Sequence, residues 1–251
     1  MHNLSLFNTA APARGDQTGD EQPLSVSGKV LEKVLEKVPD KVTDRPIYEK
    51  SIWDQGFETI ALPDAEIAYA PRFLSISEAD EHLDQIISRT PWEQSRLKIA
   101  GRECLIPRLN TWYGDSGAHY SYSGARLVLN PWTPQLMRLK QQVEEAVGVL
   151  FNSALLNYYR SGDDSVGWHS DDEPELGDKP LIAVLSIGAE RGFDLRHKTQ
   201  KGLRYTLDLE HGSLFVMAGA MQSHWAHRIA KTRHHCEARV SLTFRQVAGL
   251  K

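Results

Sequence analysis

The sequence predicts an α+β protein that is mainly β, with two packed sheets and helices ahead of most of the strands. Three observations lead there. Beyond residue 150 the chain breaks into short segments of alternating or continuous apolar character, separated by turn residues. Two segments before residue 150 carry helical periodicity behind recognisable caps. Hydrophobic residues make up 41% of the 251, enough for a sizeable core.

The elements follow in order. Residues 1–50 read as a flexible extension, and residues 51–251 as one domain whose globular part begins near Ile52. Pro, Gly, Asp and Gln dominate residues 11–23. Residues 29–38 repeat with a period of four and describe one short amphipathic helix, ended at Pro39 and marginal by itself. Ser77 is positioned to cap a helix over residues 78–89, with Leu83, Ile86 and Ile87 on its buried face. Thr133-Pro134 opens a second helix reaching about Val147, with proline suitably in the first turn. Strands are expected at 154–159, 181–187, 193–196, 204–209, 213–217, 223–229 and 238–247.

Composition narrows the function classes. No run of 18 apolar residues occurs, so no membrane span is expected. The N-terminus lacks the basic-then-apolar order of a secretory signal. Cys104 and Cys236 are the only cysteines, which argues for a reducing compartment, cytoplasmic or nuclear, and against a disulfide scaffold. A formal net charge of −4 excludes a generic polyanion binder. Basic residues nonetheless cluster at Arg191, Arg196, Lys198, Lys201 and Arg204, and at Arg228, Lys231 and Arg233. Such runs serve either as solvated faces or as phosphate contacts.

The chemistry concentrates in two places. His169 and Asp171 are two residues apart, so in an extended segment they share a face and can hold one ion together. A third ligand must come from elsewhere, and both His224 and His227 offer themselves. Two histidines and one carboxylate with open positions suit a non-heme Fe(II) oxygenase, and no cysteine stands near to favour structural zinc. Taken alone, His-x-Asp is a weak signal that more often marks a solvated acidic turn. The second place is the strand at 238–247. There Val240, Leu242 and Phe244 face one side, and Arg239, Ser241, Thr243 and Arg245 the other. The two arginines lie about 20 Å apart along an extended strand, and their long side chains can reach inward to grip a short dicarboxylate. A guanidinium pairs with a carboxylate bidentately. Asn157 and Tyr159 share a face by the same parity and are suitable neutral donors.

Over residues 97–247 the chain resembles the AlkB family of Fe(II)- and 2-oxoglutarate-dependent nucleic-acid dealkylases. The resemblance rests on ordered matches. They are Pro107-Arg108, Tyr113-Gly114-Asp115, Tyr120-Ser121-Tyr122-Ser123-Gly124, Asn157-Tyr158-Tyr159 and His169-Ser170-Asp171-Asp172-Glu173. The series continues through Phe193-Asp194-Leu195-Arg196-His197-Lys198, His211-Gly212-Ser213-Leu214, His224-Trp225-Ala226-His227 and the strand from Arg239 to Arg245.

The resemblance implies a double-stranded β-helix, jelly-roll-like, with helices flanking one sheet. It implies His169, Asp171 and His227 as iron ligands, which sets His224 aside. It implies Asn157, Tyr159, Arg239 and Arg245 as 2-oxoglutarate contacts, Arg239 holding the distal carboxylate with Tyr159 and Arg245 lying near the chelating one. With O2 as second cosubstrate, 2-oxoglutarate yields succinate and CO2, the N-alkyl carbon is hydroxylated, and the hemiaminal releases formaldehyde and the repaired base. The implied targets are 1-methyladenine and 3-methylcytosine in DNA, flipped out or already unpaired. RNA is the alternative substrate. A non-catalytic nucleic-acid-binding module and an oxygenase of protein side chains are readings of other classes, and the intact ligand set counts against the first of these. Asp172 and Glu173 would favour a cationic base. His169 and Tyr122, with Tyr120 in reserve, would hold it between them, and Arg108 and Tyr113 would line the mouth. Trp168 is expected in the core.

Two departures matter. Ser241 stands where the best-known members carry asparagine, and reaches less far toward the cosubstrate. Ala100 stands where duplex-acting members carry an aromatic wedge in the hairpin at 97–102, which favours single-stranded DNA. The protein is expected to act as a monomer.

Overall fold

The computed structural model describes residues 56–99, 102–116, 121–122, 125–126 and 128–248. The extension at 1–50, Ile52, Ala100 and Tyr120 lie outside them. Early in the chain come β1 (Glu58–Thr59), β2 (Glu66–Ala70), α1 (Ile76–Arg89), β3 (Arg96–Ile99), β4 (Arg102–Leu105) and β5 (Leu109–Gly114). Next are β6 (Ser121–Tyr122), β7 (Ala125–Arg126), β8 (Leu129–Asn130), α2 (Pro134–Val147), β9 (Ser153–Tyr159) and β10 (Val166–His169). The chain continues with β11 (Ile182–Gly188), β12 (Arg191–His197), β13 (Arg204–Leu209) and β14 (Ser213–Ala218). It closes with α3 (Met221–His224), β15 (Trp225–Ile229) and β16 (Arg239–Arg245).

Two sheets face each other. The larger has the order β1-β2-β14-β11-β16-β9-β5-β8, and the smaller β10-β15-β12-β13. Pairing is antiparallel apart from β5 with β8. This is the expected mainly-β sandwich of a double-stranded β-helix. Hairpins β3-β4 and β6-β7 stand apart from both sheets.

Helices cover one face of the larger sheet. Ala79 and Ile86 of α1 and Leu136, Leu139 and Val143 of α2 pack on Leu156, Val240, Leu242 and Phe244. The other face meets the smaller sheet through Ile182, Val184, Phe193, Leu195, Phe215, Trp225 and Ile229. The helix-side positions of β9, β11, β14 and β16 are therefore apolar, while the second face can turn polar where it lines the site.

The cap of α1 is Ser75, not Ser77. Its hydroxyl accepts from the Glu78 N–H, and the Glu78 carboxylate accepts from the Ser75 N–H, closing a capping box two residues upstream of the expected one. α2 starts as the sequence predicts, with Thr133 accepting from the Leu136 N–H and Pro134 in the first turn. It ends at Gly148, whose φ of 69° is the left-handed conformation glycine adopts without strain. The segment expected as one strand at 223–229 is split, because His224 closes the short helix α3 and the strand begins at Trp225. Among the described residues no helix is long and apolar enough to cross a membrane.

Candidate active site

The site forms where the inner face of β16 meets the smaller sheet. The register places Arg239 opposite Tyr159 and Ser241 opposite Asn157, with Ser186 on the other side of Ser241. Parity then puts Asn157, Tyr159, Ser186, Arg239, Ser241, Thr243 and Arg245 on one face. Across from them, β10 and β15 pair so that His169 lies opposite His227. The two faces line a pocket open to solvent on one side, with Arg108, Asn157, Tyr159, His169, Asp171, His227, Arg239, Ser241 and Arg245 among its walls.

His169, Asp171 and His227 converge, with all three donor atoms within 4.8 Å of one another. His169 Nε2 lies 4.0 Å from Asp171 Oδ1, and His227 Nε2 lies 3.9 Å from Asp171 Oδ2. Local contacts fix each ring. His169 Nδ1 is 2.9 Å from the Gly167 carbonyl, so Nδ1 carries the proton and Nε2 presents its lone pair inward. His227 stacks on Phe193 with ring centroids 5.0 Å apart. The Asp171 N–H donates to Gln222 Oε1 at 2.9 Å, and Ser170 Oγ donates to the Trp225 carbonyl at 2.8 Å. The segment bearing His169 and Asp171 is thus pinned to α3 and β15.

Electrostatics suit a cation held between these groups. Burial alone would push the Asp171 carboxyl up, but the Arg245 guanidinium, then His227 and His169, outweigh it and hold it at about 2. Arg245 Nη2 donates to Asp171 Oδ1 at 2.8 Å. Burial, reinforced by the neighbouring His169, pulls His227 down to about 3, and burial likewise lowers His169. The triad is one anion and two neutral imidazoles at neutral pH, the protonation state a divalent metal requires.

The arginine strand suits a carboxylate. Arg239 is 1% exposed, with its guanidinium 5.2 Å over the Tyr159 ring. Nη2 donates to Ser186 Oγ at 2.8 Å, while Nε and Nη1 are buried without a hydrogen-bond partner. Buried donors left in this state are costly, so their arrangement fits an acceptor group delivered by a bound molecule.

Not every expected residue joins the site. Tyr113 is 3% exposed and packs in the helix-side core with Leu136, Leu139 and Val143, so it does not line a substrate mouth. The preceding Trp112 instead takes the opposite face with Leu155. Arg108 is not at a rim either. It is 3% exposed, lines the cavity and donates from Nε to Asn157 Oδ1 at 2.7 Å. Asp172 is exposed and paired with Lys198 Nζ at 3.2 Å. Glu173 is partly buried and caps the single 3₁₀ turn Pro174–Leu176 without a side-chain cap bond. Tyr122 lies in β6, and its side chain falls outside the described residues. Trp168 is not core; it sits half-buried on the outer face of the smaller sheet, 4.4 Å from the Arg196 guanidinium and 4.6 Å from that of Arg228.

His224 turns away to join His197 and Asp64 in a second cluster of potential ligands. There His197 Nδ1 accepts from the Gln200 N–H at 3.0 Å, which leaves the proton on Nε2, facing Asp64 Oδ2 at 3.3 Å. A metal would need that Nε2 lone pair, so the tautomer marks a structural clasp rather than an ion site. Asp64 holds its place at a φ of 55°, and the Trp225 indole N–H anchors the adjacent Pro63 carbonyl.

Sequence reasoning missed Gln222, Phe193, Ser186 and Lys198 as supports of the site. Ser186 had a cue, since it is the polar residue in the apolar run 181–187. Gln222 had none.

Comparison with known proteins agrees with this geometry. The profile of the 2OG-Fe(II) oxygenase superfamily matches residues 66–245. The human alpha-ketoglutarate-dependent dioxygenase alkB homolog 3 is 42% identical over 213 residues, covering 80% of this chain and 70% of that protein. The mouse DNA oxidative demethylase ALKBH2 is 36% identical over 185 residues, covering 70% of this chain and 77% of that protein. The solved structure of OsALKBH1 superposes with a TM-score of 0.55 at 15% identity, over 76% of this chain and 99% of that one, a likeness of fold alone. With its His-Asp-His cluster and arginine-lined cavity, the chain belongs to the AlkB family of Fe(II)- and 2-oxoglutarate-dependent dioxygenases.

Proposed function

We propose that this protein oxidatively demethylates N-alkylated bases of nucleic acid, with 1-methyladenine and 3-methylcytosine in single-stranded DNA as preferred targets. The observation that carries the reading is the meeting, in one cavity, of the His169–Asp171–His227 cluster and the two partnerless buried donors of Arg239. His169, Asp171 and His227 hold the iron. Arg239 and Tyr159 hold the far carboxylate of 2-oxoglutarate, Asn157 and Ser241 contribute donors beside it, and Arg245 braces Asp171 next to the metal. The iron and its cosubstrates would supply the oxidation of the N-methyl carbon; the chain supplies binding and orientation.

The names of the similar alkB homolog 3 and ALKBH2 proteins support a nucleic-acid demethylase. Asp172 and Glu173, just beyond the cluster, favour a cationic base. Ala100 favours unpaired substrate, because it has too little surface to fill a vacated stack. Arg196 and Arg228, which stack on Trp168 of β10, are the candidate phosphate contacts.

The test is mass spectrometry of methylated DNA and RNA oligonucleotides, single-stranded and duplex, after incubation with protein, Fe(II), 2-oxoglutarate and ascorbate. Loss of one methyl mass from single-stranded DNA, faster than from RNA, is expected. Faster loss from RNA would move the assignment to RNA. Succinate formation with a peptide but with neither nucleic acid would refute it.

A further inference from the structure

We infer that Arg108 is a positioning residue for the cosubstrate, acting by fixing which way the Asn157 amide points. This rests on the reading of Asn157 as a 2-oxoglutarate contact. Arg108 sits just ahead of β5, in the Pro107-Arg108 pair, and its guanidinium is nearly fully buried. Nε donates to Asn157 Oδ1 at 2.7 Å, and Nη1 donates to the Ser165 carbonyl at 3.3 Å.

The chemistry of the pair is one-sided. A guanidinium has donors and no acceptor, so only the amide oxygen of Asn157 can face it. The Nδ2 hydrogens must then point away from Arg108, on the opposite side of Cγ within the amide plane, and Asn157 lines the cavity. A terminal amide that could flip would present the cavity with a donor or an acceptor at similar cost; Arg108 removes that choice. An acceptor facing a dianionic cosubstrate repels it, whereas a donor binds it. The charge of Arg108 works in the same direction. The cavity is lined by the guanidinium groups of Arg108, Arg239 and Arg245 against the one carboxylate of Asp171, an excess that suits a dianion. The burial and the bond to Asn157 separate this role from a place at the substrate mouth, where Arg108 would meet the base.

The experiment is calorimetric titration of 2-oxoglutarate into Mn(II)-loaded full-length protein, which reads binding without turnover, alongside KM for a methylated oligonucleotide. Arg108→Met should raise the 2-oxoglutarate Kd about tenfold, the scale of one charge-assisted hydrogen bond, with the oligonucleotide KM unchanged. Asn157→Ala should weaken 2-oxoglutarate comparably, and the double variant should be little worse than either single one, because the two residues act as one unit. Asn157→Asp guards against a folding artefact. Its carboxylate pairs with Arg108, so the melting temperature should hold, yet it turns an acceptor toward the cosubstrate and should weaken binding more than tenfold by the same measure. Normal 2-oxoglutarate affinity in Arg108→Met with a raised oligonucleotide KM would overturn the inference and make Arg108 a base contact. Independent, multiplying effects of the two substitutions would also overturn it. Normal affinity in Asn157→Ala would overturn both the inference and the cosubstrate assignment beneath it.

Discussion

Replacing Arg239 with methionine should have opposite effects on stability and on ligand binding. In the protein without cosubstrate, Nε and Nη1 of Arg239 are buried with no hydrogen-bond partner, and one bond goes to Ser186. Each unsatisfied buried donor costs roughly 1–3 kcal/mol, and the bond to Ser186 returns about 1. Methionine keeps much of the stem volume without polar atoms. The net is a gain of about 1–5 kcal/mol for Arg239→Met, or a melting temperature higher by roughly 2–20 °C for a domain of this size. With 2-oxoglutarate the balance reverses. Two charge-assisted bonds at about 1.5–3 kcal/mol each are lost, so the Kd should rise by roughly 10²–10⁴. Thermal melting of metal-free protein reads the first effect, and titration of 2-oxoglutarate into Mn(II)-loaded protein reads the second. A variant that melts below the parent and binds 2-oxoglutarate equally well would show that Arg239 serves the fold and not the cosubstrate.

Three further outcomes are expected. His227→Ala should abolish both metal binding and turnover while His224→Ala keeps them, checked by metal analysis of the purified variants; the reverse pattern would move the site to the Asp64 cluster. Metal-free protein should lose stability as pH falls below about 6.5, the unfolded value of histidine, by up to about 1.4 kcal/mol per unit for each histidine, since His227 in the folded state is lowered to about 3 and His169 is also lowered. Asp171, held at about 2, adds a further loss as pH falls from the ordinary carboxylate value through 2; a urea midpoint flat from pH 7 to pH 4 would contradict the histidine effect, and one flat from pH 4 to pH 2 the Asp171 effect. Ala100→Phe should raise the initial rate on a lesion in matched duplex more than on the same lesion in single strands, at one fixed salt concentration; a parent protein that already prefers duplex would remove the argument from Ala100.

Much of the site was legible because its geometry is periodic. Arg239, Ser241, Thr243 and Arg245 share a face by alternation, and β16 keeps that alternation along its whole length. His169 and Asp171 also obeyed a local spacing rule. Tyr113 did not, because β5 is buried on both faces, so hydrophobicity gave no cue to which of Trp112 and Tyr113 turns toward the helices. Trp168 misled for a related reason: an indole is usually buried by apolar neighbours, yet here two guanidinium groups cover it from outside. Among the early strands, β1, β6, β7 and β8 escaped notice because they are two residues long, too short for any period to show. The link from Arg108 to Asn157 joins residues 49 apart and has no expression in local pattern at all.

The strand order also sets how the cavity can move. β16 lies inside the larger sheet, hydrogen-bonded to β11 on one side and β9 on the other, so the arginines sit on a fixed jaw. β10 is an outer strand of the smaller sheet, four residues long, with a register shift between Val166 and His169. It is the adjustable jaw, and it bears His169. Its amides therefore exchange with solvent hydrogen sooner than those of β16. Such a vice would admit a ligand by slackening one short strand, and a metal held by His169, Asp171 and His227 would tighten it again.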